Sequence, residues 1–164
     1  MGRVSTGVKG IGLREDDEVV DMVVVGSSDS QLLTICENGY GKRTGQDEYP
    51  RKHRGGMGVI DIKTTDRNGP VVACKEVLGD DEVMIVTQDG VLIRTKVGGI
   101  STVGRNTQGV RVINLGEGDR VIDMTRVPKS EEESEVNEAA AAESENVVDN
   151  GSEELADSAQ TLSE

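Results

Sequence analysis

A short motif recurs along this chain at a fixed spacing, and that spacing limits the folds open to it. Arg-x-x-x-Gly-Val begins at Arg3, Arg54 and Arg105, so successive copies are 51 residues apart. The same shift lays LTICENGYGKRT (33–44) on MIVTQDGVLIRT (84–95). It also superposes VVDM (19–22), PVVA (70–73) and VIDM (121–124). Self-similarity at about 50 residues indicates a repeat architecture, in which each unit packs on its neighbours.

Each repeat has the pattern of short β-strands. Runs rich in Val and Ile are bounded by Gly, Asn and Asp, and no apolar stripe of helical period exceeds a couple of turns. Asn38-Gly39 and Asp89-Gly90 occupy the same place in two repeats and suit a type I′ hairpin turn. We predict strands near Val8–Leu13, Val19–Val25, Gln31–Cys36, Tyr40–Thr44, Val59–Lys63, Val71–Leu78, Val83–Thr87, Val91–Thr95, Val110–Asn114 and Val121–Val127.

Four short antiparallel strands in about 50 residues is the size of a propeller blade, so the predicted class is all-β and propeller-like. The repeats start at positions 3, 54 and 105, and Pro128 interrupts the third before its second hairpin. Two and a half blades cannot close a ring, so either the chain is part of a larger protein or strands from elsewhere complete the last blade. The sequence has no Phe or Trp and only 2 Tyr, which predicts an aliphatic core.

Charge divides the chain into two segments. Residues 1–128 hold 17 Lys and Arg against 19 Asp and Glu, whereas residues 129–164 hold one against 12. The second segment has no aromatic residue and few apolar ones, so it cannot bury enough surface to offset its ordering entropy. We therefore predict a partial β-repeat domain over 1–128 and a disordered acidic tail over 129–164.

The sequence lacks the common signals of catalysis and metal binding. It has neither a GxxxxGK[ST] nor a GxGxxG motif, and His53, the single histidine, has no placed nucleophile. Cys36 and Cys74 lie in apolar runs without CxxC spacing, which predicts small buried hydrophobes. Glu15–Glu18 is interpreted as a solvated turn. No apolar run or leader predicts a membrane span or secretion, so the expected compartment is the cytosol.

The densest cationic stretch is RKHRGGMGV, residues 51–59. Phosphate groups are bound by Lys and Arg heads and by backbone N–H groups that approach closely, and glycine permits that approach. The stretch therefore predicts an exposed, phosphate-binding turn with no bound cofactor. Its candidate residues are Arg51, Lys52, His53, Arg54, Gly55, Gly56 and Gly58.

Other basic residues extend this predicted surface. Lys42 and Arg43 lie on the strand before the cationic stretch, and further basic positions in the repeats are Arg3, Arg105, and Arg94 with Lys96. Recurrence in each repeat would place them along one edge of the array, where they form a track for a bent duplex without base reading. A structural alternative is open for Arg3 and Arg105, whose guanidinium groups can instead bond carbonyl groups of the next repeat.

Several long stretches together resemble the C-terminal domain of the DNA gyrase A protein. These are the repeated Arg-x-x-x-Gly-Val, CENGYGKRT, RGGMGVIDIKTTDRNG and VGRNTQGVRVI, and the resemblance covers residues 3–128. The family's gyrase-A box, Gln-Arg-Arg-Gly-Gly-Lys-Gly, aligns with residues 52–58. Arg54, Gly55, Gly56 and Gly58 agree with the box, whereas Lys52, His53 and Met57 depart from it.

The resemblance implies a β-pinwheel, a propeller-like ring of six blades that exchange strands with their neighbours, of which this chain would hold the last three repeats. It implies a non-catalytic module that wraps double-stranded DNA. The partners implied are the rest of the gyrase A protein and the gyrase B protein, which form a type II topoisomerase in the bacterial cytoplasm at the nucleoid. ATP and Mg²⁺ would belong to that holoenzyme, which introduces negative supercoils. The acidic tail is expected to compete with DNA for the basic residues.

Three alternatives remain at this point. The same repeats build the C-terminal domain of the homologous protein of topoisomerase IV. A propeller-like scaffold that binds proteins and no nucleic acid fits the net charge of −2 over residues 1–128. An unrelated β-repeat enzyme is the third.

Overall fold

The computed structural model describes residues 2–128. Met1 and residues 129–164 lie outside the described residues, and the predicted disordered acidic tail is among them. Within the described range, no helix has the length and apolar character needed to cross a membrane.

The described residues form seven β-strands and two single turns of 3-10 helix, which confirms the all-β class. The strands are β1 (Gln31–Cys36), β2 (Tyr40–Gly45), β3 (Val71–Val77), β4 (Glu82–Thr87), β5 (Leu92–Lys96), β6 (Val110–Arg111) and β7 (Val121–Val127). The 3-10 turns, Gln46–Glu48 and Val97–Gly99, follow β2 and β5 respectively. Because β1 and β4 are 51 residues apart at both ends, the sequence repeat is also a structural repeat.

Two antiparallel sheets are built by strands that cross between repeats. One sheet has the order β3-β1-β2-β6 and the other has the order β5-β4-β7. The β1–β2 hairpin comes from the first repeat, but β3 comes from the second and β6 from the third. In the same way, β7 of the third repeat pairs with β4 of the second. The exchange of strands between neighbours is confirmed, and no sheet consists of one sequence repeat.

The two hairpin turns differ from the prediction. Type I′ needs positive φ at both central residues, but Asp16 and Asn106 are the only non-glycine residues with positive φ in the described range. Gly39 (φ 77°) and Gly90 (φ 82°) are instead the last residues of their turns. Each glycine N–H closes the turn by donating to the carbonyl three residues earlier, that of Cys36 or Thr87. This is the three-residue loop that ends in a left-handed glycine.

Three predicted strands, near 8–13, 19–25 and 59–63, are not assigned as strands, and the one near 110–114 shrinks to two residues. Segment 19–25 is the repeat counterpart of β3, which pairs with the hairpin of the repeat before it. No hairpin precedes 19–25 among the described residues, so its backbone has no ladder partner. Segments 8–13 and 59–63 contact the next repeat by isolated hydrogen bonds, which do not make a ladder.

The core is aliphatic, as predicted, and is built by side chains from both sheets. β1 is the second strand of its four-stranded sheet, and its last four residues are all buried. β4 alternates, with Val83 and Ile85 fully buried. The buried cluster comprises Leu33, Ile35, Ala73, Val77, Val83, Ile85, Val97, Ile100, Ile113, Val121 and Met124.

In each sheet, a polar side chain on the exchanged strand is bonded to the segment just before the hairpin, but the residue types differ between the two sheets. On β3, Glu76 accepts hydrogen bonds from the Ser30 hydroxyl and from the backbone N–H groups of Gly26 and Ser27. At the matching place on β7, Arg126 pairs with Asp81, with Nε 2.6 Å from Oδ2. Ser30 and Asp81 are 51 residues apart and thus occupy the same place in the repeat. The carboxylate is on the exchanged strand in the first case and on the residue before the hairpin in the second.

Stability should therefore depend on pH through Glu76. Its hydrogen bond from Ser30, and then those from Gly26 and Ser27, lower its pKa below the ordinary 4.5. A lowered folded-state pKa gives stability that is complete above 4.5 and is lost as pH falls through the folded value. Glu76→Gln should therefore flatten the fall in melting temperature between neutral and acidic pH. An unchanged pH profile in this variant contradicts the assignment.

Candidate nucleic-acid interface

The cationic stretch lies on the surface, outside any strand. Arg51, Lys52, His53 and Arg54 are all exposed, and a turn begins at Arg54. Residues 55 and 58 have φ values of 81° and 73°, which only glycine adopts without strain. The stretch thus presents three permanent cations and an imidazole on a tightly turned backbone.

The glycines in this turn also join two repeats. The Gly55 N–H donates to the Gly10 carbonyl at 2.6 Å, and the Gly12 N–H donates to the Gly56 carbonyl at 2.8 Å. The same two bonds recur 51 residues later, at 2.6 Å from Asn106 to Asp61 and at 2.8 Å from Lys63 to Thr107. The Gly55 amide is used inside the protein, so it is not available for the backbone phosphate contact that the sequence predicts for this turn. Positive φ at Gly55 and Gly58 is the reason for glycine here, because a Cβ at either position would meet no atom closer than 3.5 Å.

Lys42 is the clearest correction to the predicted surface. Its side chain is fully buried, and its ammonium donates to the Asp61 carbonyl at 2.9 Å and the Gly104 carbonyl at 3.0 Å. The Asp61 carboxylate lies 3.2 Å from the same nitrogen. Lys42 therefore cannot contact a phosphate group, and it instead ties the first repeat to the second.

Asp61 is the centre of a polar network that joins Lys42, Tyr49 and Thr34. Besides Lys42, its carboxylate accepts the Tyr49 hydroxyl at 2.5 Å and the Thr34 hydroxyl at 2.6 Å. Burial, and then the adjacent Asp61 carboxylate, raise the pKa of Tyr49, so this hydroxyl stays a donor. Every member of the network has a partner, so the buried charge is satisfied.

Arg43 and Arg105 act as links between repeats. Arg43 Nε donates to the Ile100 carbonyl at 2.7 Å. Arg105 Nη1 donates to the Ile60 carbonyl at 3.1 Å, and the Arg105 guanidinium lies 5.9 Å from the centre of the Tyr49 ring. Both residues are half-buried. Arg105 bonds a carbonyl group, as the structural alternative expected, but the acceptor Ile60 lies in the preceding repeat and not in the next one.

The other predicted basic positions are exposed. Arg94 pairs with the Glu82 carboxylate on the neighbouring strand, which reduces its free charge. Arg3 and Lys96 make no ion pair within the described part of the chain. Arg3 and Arg54 are therefore exposed while their counterpart Arg105 is half-buried, so the three repeated arginines do not share one environment.

Several free cations were not predicted from the sequence. Five further basic side chains are exposed and have no carboxylate partner within residues 2–128: Lys9, Arg14, Lys63, Arg67 and Arg111. Whether a cation is paired depends on tertiary contacts, so no pattern in the sequence separates these residues from the paired ones.

The described residues include no group of three His, Cys, Asp or Glu side chains placed to hold a metal ion. Cys36 is buried, as predicted, and burial raises the pKa of its thiol to about 11. Cys74 is half-buried, and burial raises its pKa as well. Both thiols are therefore held in the protonated form, which is a poor nucleophile.

A family model described as DNA gyrase C-terminal domain, beta-propeller, matches residues 1–26, 30–77 and 81–128. The last two matches coincide with the structural units, each a hairpin followed by the exchanged strand of the next sequence repeat. The DNA gyrase A protein of Salmonella typhimurium is 44% identical over 163 residues, which is 98% of this chain and 18% of the relative. The chain thus spans about a fifth of the length of the curated relatives it matches.

Two solved structures resemble the fold. A DNA gyrase A C-terminal domain superposes with a TM-score of 0.68 at 31% identity, covering 73% of this chain and 41% of that one. The C-terminal domain of DNA topoisomerase IV gives a TM-score of 0.70 at 23% identity, covering 84% of this chain and 43% of that one. At that lower identity the second likeness concerns the fold alone.

Proposed function

Because this chain belongs to the DNA gyrase C-terminal domain family, we propose that it binds and bends double-stranded DNA through the phosphate backbone. The observation that carries the proposal is the exposed cationic stretch at residues 51–54. Its four side chains make no ion pair within the described residues. Exposed cations without carboxylate partners attract phosphate groups without reading bases.

The support from electrostatics is local. Residues 1–128 carry a net charge of −2, so the attraction cannot come from the overall charge. It comes instead from which cations are neutralised: Lys42, Lys75, Arg94, Arg120 and Arg126 have carboxylate partners, whereas those of the cationic stretch do not. Binding to successive phosphate groups therefore requires only that the unpaired cations lie along one edge of the repeat array.

Membership of the family supports a proposal about the larger assembly. We propose that the chain acts as part of a gyrase A protein that works with the gyrase B protein in the bacterial cytoplasm. There, wrapped DNA would be presented for ATP-driven strand passage that introduces negative supercoils. ATP and Mg²⁺ would be held by other domains of that complex, and this chain would supply binding and bending.

Binding of random-sequence duplexes by the full chain tests the proposal. With about four phosphates neutralised, log K should fall against log salt with a slope near −4. Arg51→Ala/Arg54→Ala should weaken binding roughly tenfold, at about 0.7 kcal/mol per exposed contact, and reduce the slope by about 2.

The matched control is Lys75→Ala/Arg120→Ala, which removes the same charge from two residues already paired with Asp21 and Glu37. This control should bind nearly as well as the unaltered chain. An intact chain with no salt slope, or equal losses in the two double variants, contradicts the proposal and favours a protein-binding scaffold.

We also propose that residues 129–164 compete with DNA, on the basis of their 12 carboxylates alone. A tethered anionic segment has a high effective concentration near the cations of its own chain. Truncation after Pro128 should therefore tighten DNA binding, most at low salt, in a fluorescence-anisotropy titration. Equal affinities for the full and truncated chains at low salt contradict this competition.

A further inference from the structure

Two arginines outside the predicted basic surface lie against one tyrosine. The guanidinium carbon of Arg67 is 4.6 Å from the centre of the Tyr40 ring, and that of Arg111 is 5.1 Å from the same point. Arg111 Nη2 also donates to the Tyr40 hydroxyl at 2.6 Å. Tyr40 belongs to the first repeat, Arg67 to the second and Arg111 to the third, so only the folded array assembles them.

The backbone holds both arginines in place. Arg111 is the direct partner of Tyr40 where β6 pairs with β2. The carbonyl of Arg67 accepts a hydrogen bond from Asn38 Nδ2 at 3.2 Å. The next residue, Asn68, is fully buried and bonds the carbonyl groups of Lys63 and Gln108. The two guanidinium groups therefore start from fixed points on separate elements.

The cluster holds two positive charges without a carboxylate. Arg67 Nη1 donates to Gln108 Oε1 at 3.5 Å, and Arg111 Nη1 donates to Asn114 Oδ1 at 3.3 Å, so the side-chain acceptors are neutral. The nearby Glu37 carboxylate forms an ion pair with Arg120, whose Nη1 lies 3.0 Å from Glu37 Oε1. A guanidinium has five N–H donors, so most donors of this pair remain available.

The separation of the two guanidinium carbons cannot exceed the sum of their distances to the centre of the Tyr40 ring. That sum is comparable with the Debye length of about 8–10 Å, so the two positive charges repel each other. The tyrosine ring offsets part of that repulsion through cation–π contact, worth about 0.5–1 kcal/mol at an exposed site. An oxyanion offsets more, because guanidinium groups bind phosphate oxygens through paired N–H groups.

We propose that Arg67 and Arg111, positioned by Tyr40, form a binding site for one phosphodiester group of duplex DNA, separate from the cationic stretch at 51–54. This inference rests on the proposed function and adds a second contact point to it. Both arginines are exposed, so a duplex reaches them without rearrangement of the fold. Tyr40 is a positioning residue, since its ring is buried beneath the two arginines.

Arg67→Ala/Arg111→Ala in the full chain should weaken binding to a random-sequence duplex roughly tenfold and lower the salt slope by about 1 to 2. Arg67→Lys/Arg111→Lys should keep the slope, because the charges remain, but bind more weakly than the unaltered chain, because the paired N–H geometry is lost. Lys75→Ala/Arg126→Ala is the charge-matched control here, because both residues are ion-paired and Arg120 stays in place to neutralise Glu37. A loss equal to that of the control overturns the inference.

A measurement on the unaltered chain covers the case in which the alanine variant does not fold. In a ¹⁵N–¹H spectrum, the Nε–H resonances of Arg67 and Arg111 should shift when duplex DNA is added, while that of the ion-paired Arg120 should not. Binding of DNA without any shift at Arg67 and Arg111 overturns the site but leaves the proposed function standing. A chain that binds no duplex at all overturns both.

Discussion

Replacing Gly109 with Ala should lower the free energy of unfolding by about 3 kcal/mol. Gly109 has φ 74°, where an L side chain costs about 1–2 kcal/mol. A Cβ at this position would also lie 2.6 Å from the Gly41 carbonyl oxygen, which is backbone of β2 and cannot turn aside. Relieving that overlap requires a shift of β6 from β2, at a further cost of about 1–3 kcal/mol.

Gly90→Ala is the matched control. Gly90 has φ 82°, but nothing lies within 4 Å of a Cβ built there, so only the conformational cost applies. Urea denaturation of the two variants should therefore show the larger loss at Gly109, with about 1–2 kcal/mol lost at Gly90. Similar losses at both positions contradict the close approach of residue 109 to β2. Because β6 carries Arg111, the Gly109 variant should also weaken DNA binding.

Asp61→Ala should cost a comparable amount, about 3 kcal/mol in urea denaturation at neutral pH. It leaves the Lys42 ammonium buried without a counter-charge, and breaking a buried pair costs about 3–5 kcal/mol. The lower end applies, because the Asp61 side chain is 28% exposed and water partly screens it. The Tyr49 and Thr34 hydroxyl groups lose their acceptor as well.

A double-mutant cycle tests that assignment. Lys42→Met/Asp61→Ala should be less destabilised than the sum of the two single variants, because removing both partners leaves no uncompensated charge. Asp66→Ala, which removes an exposed carboxylate on the same segment, should change stability by less than about 0.5 kcal/mol. Additive losses in the cycle contradict direct coupling of Lys42 with Asp61.

These two sites show that the contacts between repeats restrict which residues can be substituted there. Gly109 and Asp61 both sit where one repeat meets another, and both act on β2 of the first repeat. Stability in such an array comes from neighbour contacts as much as from each unit. Changes at the joints should therefore affect DNA binding through the spacing of the basic residues, even where no phosphate contact is lost.

Sequence periodicity alone predicted much of the fold. The pattern of short apolar runs on either side of Asn38-Gly39 placed β1 and β2 within one residue of their observed bounds. It succeeded because a hairpin is local: its pairing depends on alternating side chains and on a glycine with positive φ. The strand predicted at 19–25 was not formed for the opposite reason, since its counterpart β3 pairs with residues of β1 that lie 35 to 46 positions earlier in the chain.

The candidate site was only partly readable from sequence. The cationic stretch at 51–54 was predicted and is exposed. Lys42 has the same charge but is buried, because the alternation of β2 and the partners at Asp61 and Gly104 direct it inward. Arg67 and Arg111 lie 44 residues apart, and no local pattern connects them.

The sequence by itself determined the repeat, the β class and the hairpins, because these depend on residues close together in the chain. The tertiary structure alone decided which cations are free, since pairing depends on contacts between repeats. Lys42 and Arg111 illustrate the difference: each lies on a strand of the same sheet, yet one is neutralised in the interior and the other is exposed beside Tyr40. The energy of Coulomb attraction depends on the distance between two charges in the folded protein, and their separation in the sequence does not determine that distance.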